Sequence, residues 1–175
     1  MVSARAFAAF VAVLALVGLL GFGLLSKGDP RIAVGEPVPD KRLPLLGKDG
    51  QGAIADYRGR WVLVNLWASW CGECRHEASE LESFARRHRH DGVTVLGINV
   101  QDNEDDALSF VREFSPTYPQ LRSVGAERSE AFGATGVPEN YLVDPHGRLA
   151  IPAIVGPVDE HLLQEEVIPA IEGKG

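Results

Sequence analysis

The chain has 175 residues, of which 45 % are hydrophobic and 23 % are charged, and its formal net charge at neutral pH is −7. This length fits one globular domain of ordinary size. The acidic balance argues against a nucleic-acid-binding protein and against adhesion to anionic lipid headgroups, since both partners attract basic surfaces.

The first predicted element is an N-terminal membrane anchor, assigned to residues 1–27. Residues 6–25 form a 20-residue run without a charged side chain, bounded by Arg5 and Lys27. A helix of this length spans the ~30 Å hydrocarbon core of a bilayer. A helix buried in a protein core is not favoured, because the run has no polar residues that would mark a solvent-facing side. A cleaved secretory signal is the alternative. Its apolar region is usually about 7–15 residues long and ends at a small-residue cleavage site, for which residues 23–27 are a poor match.

The flanking charges predict the orientation of this anchor. Arg5 and the amino group precede the apolar run without an acidic residue, whereas Lys27 is soon followed by Asp29. The positive-inside bias then places the N-terminus in the cytoplasm. We therefore expect a single-pass protein of the inner, or cytoplasmic, membrane whose domain lies in the periplasm or another extracytoplasmic space, where disulfide chemistry belongs.

A linker and a folded domain follow the anchor. Residues 28–38 contain two glycines and two prolines and predict an extended linker, and residues 39–173 are assigned to the domain. The domain begins with a small hairpin built from residues 43–46 and 52–54. Residues 61–67 are apolar at consecutive positions, which predicts a strand buried on both faces of a sheet.

The remainder of the domain alternates helices and strands. The predicted elements are a helix over 73–90, a strand over 93–100, a helix over 103–114 capped by Asn103, a strand or loop over 118–121, a short helix over 127–132, a hairpin of 140–144 with 148–151, and a helix over 159–171. This β-α-β-α-β-β-α order predicts an α/β fold of thioredoxin-like type, a three-layer sandwich around a mixed central sheet.

Cys71 and Cys74 are the only cysteines, and they stand between a predicted strand and a predicted helix. A helix N-terminus favours a thiolate at the first cysteine, and the thiolate is the species that attacks disulfides. The pattern therefore predicts a redox-active Cys71–Cys74 disulfide. A zinc site would need two further ligands, and covalent haem would need histidine where Arg75 stands. A purely structural disulfide across so short a loop would stabilise the fold little.

Two segments carry a resemblance to a known family. Residues 67–77, Trp-Ala-Ser-Trp-Cys-Gly-Glu-Cys-Arg-His-Glu, and residues 132–144, Phe-Gly-Ala-Thr-Gly-Val-Pro-Glu-Asn-Tyr-Leu-Val-Asp, stand in the order and separation of its signatures. The chain resembles the membrane-anchored TlpA/ResA/CcmG (DsbE) thiol:disulfide oxidoreductases over roughly residues 34–171, and its Gly-Val-Pro-Glu wording is closest to the CcmG branch. The resemblance implies reduction of apocytochrome c disulfides during cytochrome c maturation and re-reduction by a membrane thiol donor of the CcdA/DsbD type. It implies no cofactor and no metal.

The resemblance also implies roles for the site residues. Cys71 is expected to be the exposed nucleophile and Cys74 the buried resolving thiol. Pro138 resembles the family's cis-proline, where the backbone of Val137 can pair with an extended substrate, whereas an ordinary loop proline would be trans. The predicted substrate-binding set comprises six residues: Trp70, Gly72, Glu73, Val137, Pro138 and Glu139.

Glu77 is the predicted proton relay for Cys74, because it lies one helical turn beyond that thiol. A surface glutamate is the alternative for Glu77, and an exposed loop charge is the alternative for Glu139. The chain also departs from thioredoxin at two positions. Asn65 occupies the place of a buried aspartate and cannot take a proton, and Glu73 occupies the place of a proline, where its charge disfavours a thiolate at Cys71.

Two other functions are compatible with a pair of thiols. A thiol peroxidase of the redoxin type would need the Pro-x-x-x-Thr-x-x-Cys pattern, but Ala68 stands at the threonine position. A copper metallochaperone could bind Cu(I) through two thiolates, although the adjacent cis-proline would obstruct the metal. Disulfide reduction is therefore the leading hypothesis.

Overall fold

The computed structural model describes residues 13–19, 31–125 and 131–173. The chain divides into two compact units, Met1–Pro30 and Arg31–Gly175. In the first unit, residues 13–19 are helical. Most of the predicted span over 6–25 lies outside the described residues, and among those that are described no helix is long and apolar enough to cross a membrane.

The second unit is built on a five-stranded mixed sheet. Its strands are β3 (Trp61–Trp67), β4 (Val93–Val100), β5 (Gln120–Ser123), β6 (Glu139–Val143) and β7 (Ile154–Val155), in the spatial order β5-β4-β3-β6-β7. β3 pairs in parallel with β4, and β4 in parallel with β5, whereas β6 is antiparallel to β3 and to β7. A separate two-stranded sheet pairs β1 (Leu43–Pro44) with β2 (Gln51–Gly52), which confirms the small N-terminal hairpin.

The faces of the central strand β3 feed two different apolar cores. Val62, Val64 and Leu66 belong to one core, and Leu63 belongs to the other. Successive side chains of a strand point to opposite faces, so a strand covered on both sides must be apolar throughout. This explains why the run over 61–67 coincides with β3.

Helices cover the sheet. The first long helix, α1 (Gly72–His88), begins at the cysteine motif, and α2 (Glu104–Phe114) follows β4. As predicted, Asn103 caps α2, and its side chain accepts a 3.0 Å hydrogen bond from the Asp105 N–H. The last helix, α3, is continuous but changes its winding through Glu160–Leu162, the π-helical turn Leu163–Val167 and Ile168–Ile171.

The described part of the predicted linker packs against the domain. The Gly35 N–H donates to the Leu149 carbonyl at 2.8 Å, and the Val38 N–H donates to the Gly147 carbonyl at 3.1 Å. Pro37 forms an isolated bridge with Arg148. The chain is therefore attached to the folded unit from Gly35 onward.

The second predicted hairpin is only partly correct. Residues 148–151 do not form a strand, since they contribute only isolated bridges, one between Arg148 and Pro37 and one between Leu149 and Val143. Pro152 follows, and it has no N–H to continue the ladder. On the side of β6 away from β3, its partner strand is instead β7, which begins two residues after Pro152. The short helix predicted over 127–132 lies mostly outside the described residues.

Candidate active site

The two cysteines form a disulfide at the start of α1, with their Cα atoms 5.3 Å apart. Cys71 is the N-cap residue of α1, and its sulfur accepts a 3.0 Å hydrogen bond from the Cys74 N–H. Only 5 % of Cys71 and 2 % of Cys74 are exposed. Cys71 is therefore not exposed in this disulfide form as predicted, because both cysteines pack in one apolar cluster with Trp67 and Phe110. The hydrogen bond to Cys71 is what distinguishes the two sulfurs.

A cis peptide bond between Val137 and Pro138 lies beside the disulfide, which confirms the predicted cis-proline. The Cys71 Sγ atom is 3.6 Å from the Val137 carbonyl oxygen. The Pro138 carbonyl accepts a 3.0 Å hydrogen bond from the Gly156 N–H, which ties the proline to the segment after β7. Cys71 and the backbone that precedes the proline therefore face each other, although 66 residues separate them in sequence.

Glu77 is buried inside the domain, with only 1 % of its surface exposed. Its Oε1 atom accepts a 2.6 Å hydrogen bond from Asn65, and its Oε2 atom accepts 3.0 Å bonds from Asn140 and from the Val158 N–H. Asn65 also donates to Asn140 at 3.0 Å. The alternative of a surface glutamate is therefore wrong.

Burial dominates the acidity of this group. Desolvation raises the pKa of Glu77 from 4.5 to about 7, against the opposing effect of hydrogen bonds from Val158, Asn140 and Asn65. A carboxyl group with a pKa near neutrality can both take and return a proton under physiological conditions.

Glu139, the first residue of β6, is fully buried. Its Oε1 atom accepts hydrogen bonds from the Thr135 N–H at 2.7 Å, the Thr135 hydroxyl at 3.0 Å and the Gly136 N–H at 3.2 Å. Its Oε2 atom accepts a 2.5 Å bond from the Tyr141 hydroxyl. Burial raises the pKa of Tyr141, and the hydrogen bond to Glu139 raises it further. Glu139 is therefore not an exposed loop charge. Its carboxylate organises the turn that leads into Pro138.

Comparisons with known proteins agree with this geometry. The AhpC/TSA family model matches residues 34–151. The thiol:disulfide interchange protein HelX of Rhodobacter capsulatus is 33 % identical over 94 % of this chain and 95 % of its own length. The thiol:disulfide interchange protein DsbE of Allochromatium vinosum is 36 % identical over 90 % of this chain and 87 % of its own. The chain belongs to the AhpC/TSA family and to its DsbE/HelX thiol:disulfide interchange proteins.

A comparison with solved structures bears on the fold. A crystal structure of a thiol:disulfide interchange protein of the thioredoxin family from Chlorobium tepidum TLS superimposes with a TM-score of 0.69, covers 79 % of this chain and 98 % of that one, and is 24 % identical. The thioredoxin-like fold with a mixed sheet is thereby confirmed. As a DsbE/HelX relative with a Cys71–Cys74 disulfide, the chain is a thiol:disulfide oxidoreductase.

The other predicted residues of this DsbE/HelX site lie on the surface around the disulfide. Trp70 is 63 % exposed, and Gly72 and Glu73 are exposed as well. The Glu73 carboxylate lies 3.5 Å from the ring of His76, one turn along α1. Because both side chains are solvated, the repulsion that Glu73 can exert on a Cys71 thiolate is screened.

Three residues that contact the predicted site were not predicted from the sequence. Asn140 and the backbone of Val158 hold Glu77, and Asp102 holds the segment that precedes Cys71. The signal for Asn140 was an amide within an otherwise apolar strand, since such a group, once buried, must find a hydrogen-bond partner. Nothing in the local sequence marked Val158. Among residues 13–19, 31–125 and 131–173, no group of three or more His, Cys, Asp or Glu side chains is arranged to hold a metal ion.

Proposed function

We propose that the chain is a membrane-anchored reductant of protein disulfides outside the cytoplasm and that apocytochrome c is its substrate. The observation that carries this proposal is the Cys71–Cys74 disulfide at the start of α1, beside the cis bond of Pro138 and one turn from the buried acid Glu77. The similarity to DsbE and HelX proteins over most of the chain supports it.

The first step is attack by Cys71. The hydrogen bond from the Cys74 N–H and the positive end of α1 favour negative charge on the Cys71 sulfur. The thiolate attacks one sulfur of the substrate disulfide, so that a mixed disulfide forms and the other substrate sulfur leaves as a thiolate, which takes up a proton.

The second step is release of the substrate. The Cys74 thiolate attacks the Cys71 sulfur, the mixed disulfide breaks, and the second substrate sulfur leaves as a thiolate that takes up a proton, so the substrate departs as a dithiol. Two electrons have then passed to the substrate, and the enzyme holds the Cys71–Cys74 disulfide. Glu77 takes the proton that Cys74 must lose. A small cavity of about 10 Å³, at the lower limit of what holds one water molecule, borders both Cys74 and Asn65, the residue that donates to Glu77.

The substrate is proposed to bind across the surface around the disulfide. The backbone of Val137 pairs with an extended substrate segment as a strand would. Trp70 offers an exposed aromatic face, and Gly72 leaves space close to the sulfur. Glu73 supplies negative charge at the rim, whereas the buried Glu139 acts indirectly by holding the turn that leads into Pro138.

The cellular setting is part of the proposal. Residues 6–25 anchor the protein in the cytoplasmic membrane with the N-terminus in the cytoplasm, a linker over 28–38 connects the anchor to the domain over 39–173, and the catalytic domain lies in the periplasm or its equivalent. Re-reduction then falls to a membrane thiol donor of the CcdA/DsbD type. Recovery of the protein from the soluble fraction with a new N-terminus near residues 26–36 would contradict the anchor.

Trapping the mixed disulfide tests the substrate. The full-length Cys74→Ala variant cannot resolve the intermediate, so the bound partner can be isolated on non-reducing gels and identified by mass spectrometry. We expect apocytochromes joined through a haem-attachment cysteine to Cys71. The Cys71→Ala variant is the matched control and should trap nothing. Partners without a haem-attachment motif would contradict the substrate while preserving the reductase.

Activity measurements separate the reductase from the two other functions. The reduced protein should reduce insulin disulfides catalytically when a thiol donor is supplied, and should titrate two thiols both before and after metal stripping. Titration of both thiols only after stripping would favour the metallochaperone. Rapid turnover of peroxide without insulin reduction would favour the peroxidase.

A further inference from the structure

The loop between β4 and α2 contacts the chain just before the nucleophile. The Oδ2 atom of Asp102 accepts a 2.6 Å hydrogen bond from the Ser69 N–H, and the Oδ1 atom accepts a 2.7 Å bond from the Ser69 hydroxyl. Ser69 precedes Cys71 by two residues. The turn between them is closed by a 3.2 Å hydrogen bond from the Cys71 N–H to the Ala68 carbonyl. The position of the Asp102 carboxylate is therefore transmitted to Cys71 through one short turn.

Asp102 is itself held by the carboxyl end of the interior strand β4 and by the residue that follows Asp102. Asn99, fully buried in β4, donates a 2.7 Å hydrogen bond to Oδ2, and the Asn103 N–H donates a 2.9 Å bond to Oδ1. Four donors thus converge on the two oxygens of a single carboxylate. A carboxylate has two oxygens that both accept hydrogen bonds. An amide of the same shape has only one, and its NH₂ group would face one pair of these donors. The contact is built for a carboxylate rather than for any polar side chain.

The same loop also holds Trp70, the residue next to Cys71. The indole N–H of Trp70 donates a 3.0 Å hydrogen bond to the Gln101 carbonyl. Gln101 has a φ of 49°, a left-handed conformation that is uncommon for a residue other than glycine. Such conformations concentrate at functional sites, where the surrounding structure enforces them. The loop over 101–103 therefore fixes both residues that lead into the nucleophile.

We propose that Asp102 is a positioning residue for the disulfide exchange. By binding both the backbone and the hydroxyl of Ser69, it fixes the turn that carries Cys71 opposite the Val137 carbonyl and leaves Trp70 presented to the substrate. Nucleophilic attack on a disulfide requires an aligned approach, so a small displacement of the attacking sulfur slows it. The proposal rests on the reductase function proposed above but concerns the placement of the nucleophile.

The decisive comparison is between two aspartates of one segment. Asp102→Asn preserves the shape and removes the second acceptor, and Asp105→Asn removes an equal charge from an exposed position in the first turn of α2. In the full chain in detergent, we expect Asp102→Asn to lower kcat/KM for insulin disulfides about tenfold or more, mainly through kcat. It should also displace the pH profile of Cys71 alkylation by iodoacetamide. Asp105→Asn should stay within about twofold of the parent on both measurements.

Ser69→Ala provides a milder second test, because it removes only the hydroxyl donor and leaves the backbone bond. It should slow insulin reduction in the same direction but less than Asp102→Asn. The double variant should be no slower than Asp102→Asn alone, because the two residues act through one contact. A Ser69→Ala effect that adds fully to the Asp102→Asn effect would overturn the proposal.

The readouts separate a positioning role from a merely structural one. If Asp102→Asn lowers the melting temperature but matches Asp105→Asn in kcat, KM and the alkylation profile, the proposal is wrong. If the parent chain fails to reduce insulin, the proposed reductase function fails, and the alkylation profile then decides the role of Asp102 alone. If Asp102→Asn does not fold, the Ser69→Ala variant carries the same decision with the same readouts.

Discussion

The buried carboxyl group of Glu77 makes a prediction about stability that can be tested without any substrate. Glu77→Gln removes the ionisable group and keeps the side-chain length. The glutamine oxygen can still accept the hydrogen bond from the Val158 N–H, whose direction is fixed by the backbone. The glutamine NH₂ group can then face Asn65, because the Asn65 amide can flip and present its oxygen as the acceptor. We therefore expect the variant to fold, with a modest loss of stability at low pH.

The magnitude follows from the difference between the two states. Burial raises the pKa of Glu77 to about 7 in the folded protein, whereas the reference value for the unfolded chain is 4.5. Below pH 4.5 both states hold the proton; between 4.5 and 7 only the folded state holds it; above 7 both lose it. Stability is therefore lost as the pH rises through this window, by about 3 kcal/mol in total.

Urea unfolding of the oxidised full chain in detergent, followed by tryptophan fluorescence, measures this loss. All three tryptophans lie in the folded domain, at positions 61, 67 and 70, so the signal reports that domain. The free energy of unfolding of the parent minus that of Glu77→Gln should fall by about 3 kcal/mol between pH 4.5 and pH 8, because the contributions of all other groups cancel. Glu166→Gln, at an exposed position of α3, controls for the loss of one surface carboxylate.

A flat difference between parent and Glu77→Gln across this range would refute the reasoning. It would mean that the three hydrogen bonds offset the desolvation of the carboxylate completely, so that folding does not perturb the group. A difference that grows with pH would mean that the hydrogen bonds outweigh burial. Either result would also remove the basis for Glu77 as a proton relay near neutral pH.

The remaining predictions concern the reaction and the second buried acid. Cys71→Ser should abolish insulin reduction, whereas Cys74→Ser should accumulate a mixed disulfide on non-reducing gels, and equal trapping by both variants would contradict the assigned roles. Glu77→Gln should slow the resolving step in rapid-mixing experiments and shift the pH dependence of Cys74 alkylation; superimposable curves with unchanged turnover would argue against the relay. Glu139→Gln should lower the free energy of unfolding in urea by about 1–3 kcal/mol, because an amide can satisfy only one of the two groups of donors at that carboxylate, and an unchanged midpoint would contradict this account.

The strands in the centre of the sheet were predictable because a strand buried on both faces is a continuous run of apolar residues in the sequence. The predicted bounds over 61–67 and 93–100 are those of β3 and β4. The edge strand of the sheet has no such run. β7 is only two residues long, and Pro152 separates it from the bridge at Leu149, so a pattern of alternating residues could not reveal it.

The site divides in the same way. The cysteine pair and its helix form a local motif that one short segment of sequence carries. The contacts that give Glu77 its properties are long-range, since Asn140 and Val158 lie 63 and 81 residues away along the chain. The sequence could place an acid one turn from Cys74. It could not show which groups would surround that acid, because those groups come from β6 and from the segment before α3.

The sequence linked Asn65 and Glu77 only by role, since an asparagine cannot take the proton, whereas the structure brings the two side chains into direct contact. An aspartate at position 65 beside Glu77 would place two acids within hydrogen-bonding distance, and one of them would have to stay protonated. An asparagine donates to Glu77 at 2.6 Å and to Asn140 at 3.0 Å. The amides offset part of the cost of burying the charge, which leaves a single acid whose pKa is about 7. Compared with thioredoxin, the acidic group has moved from strand to helix, and the strand now supplies the hydrogen bonds that keep that acid able to exchange its proton near neutral pH.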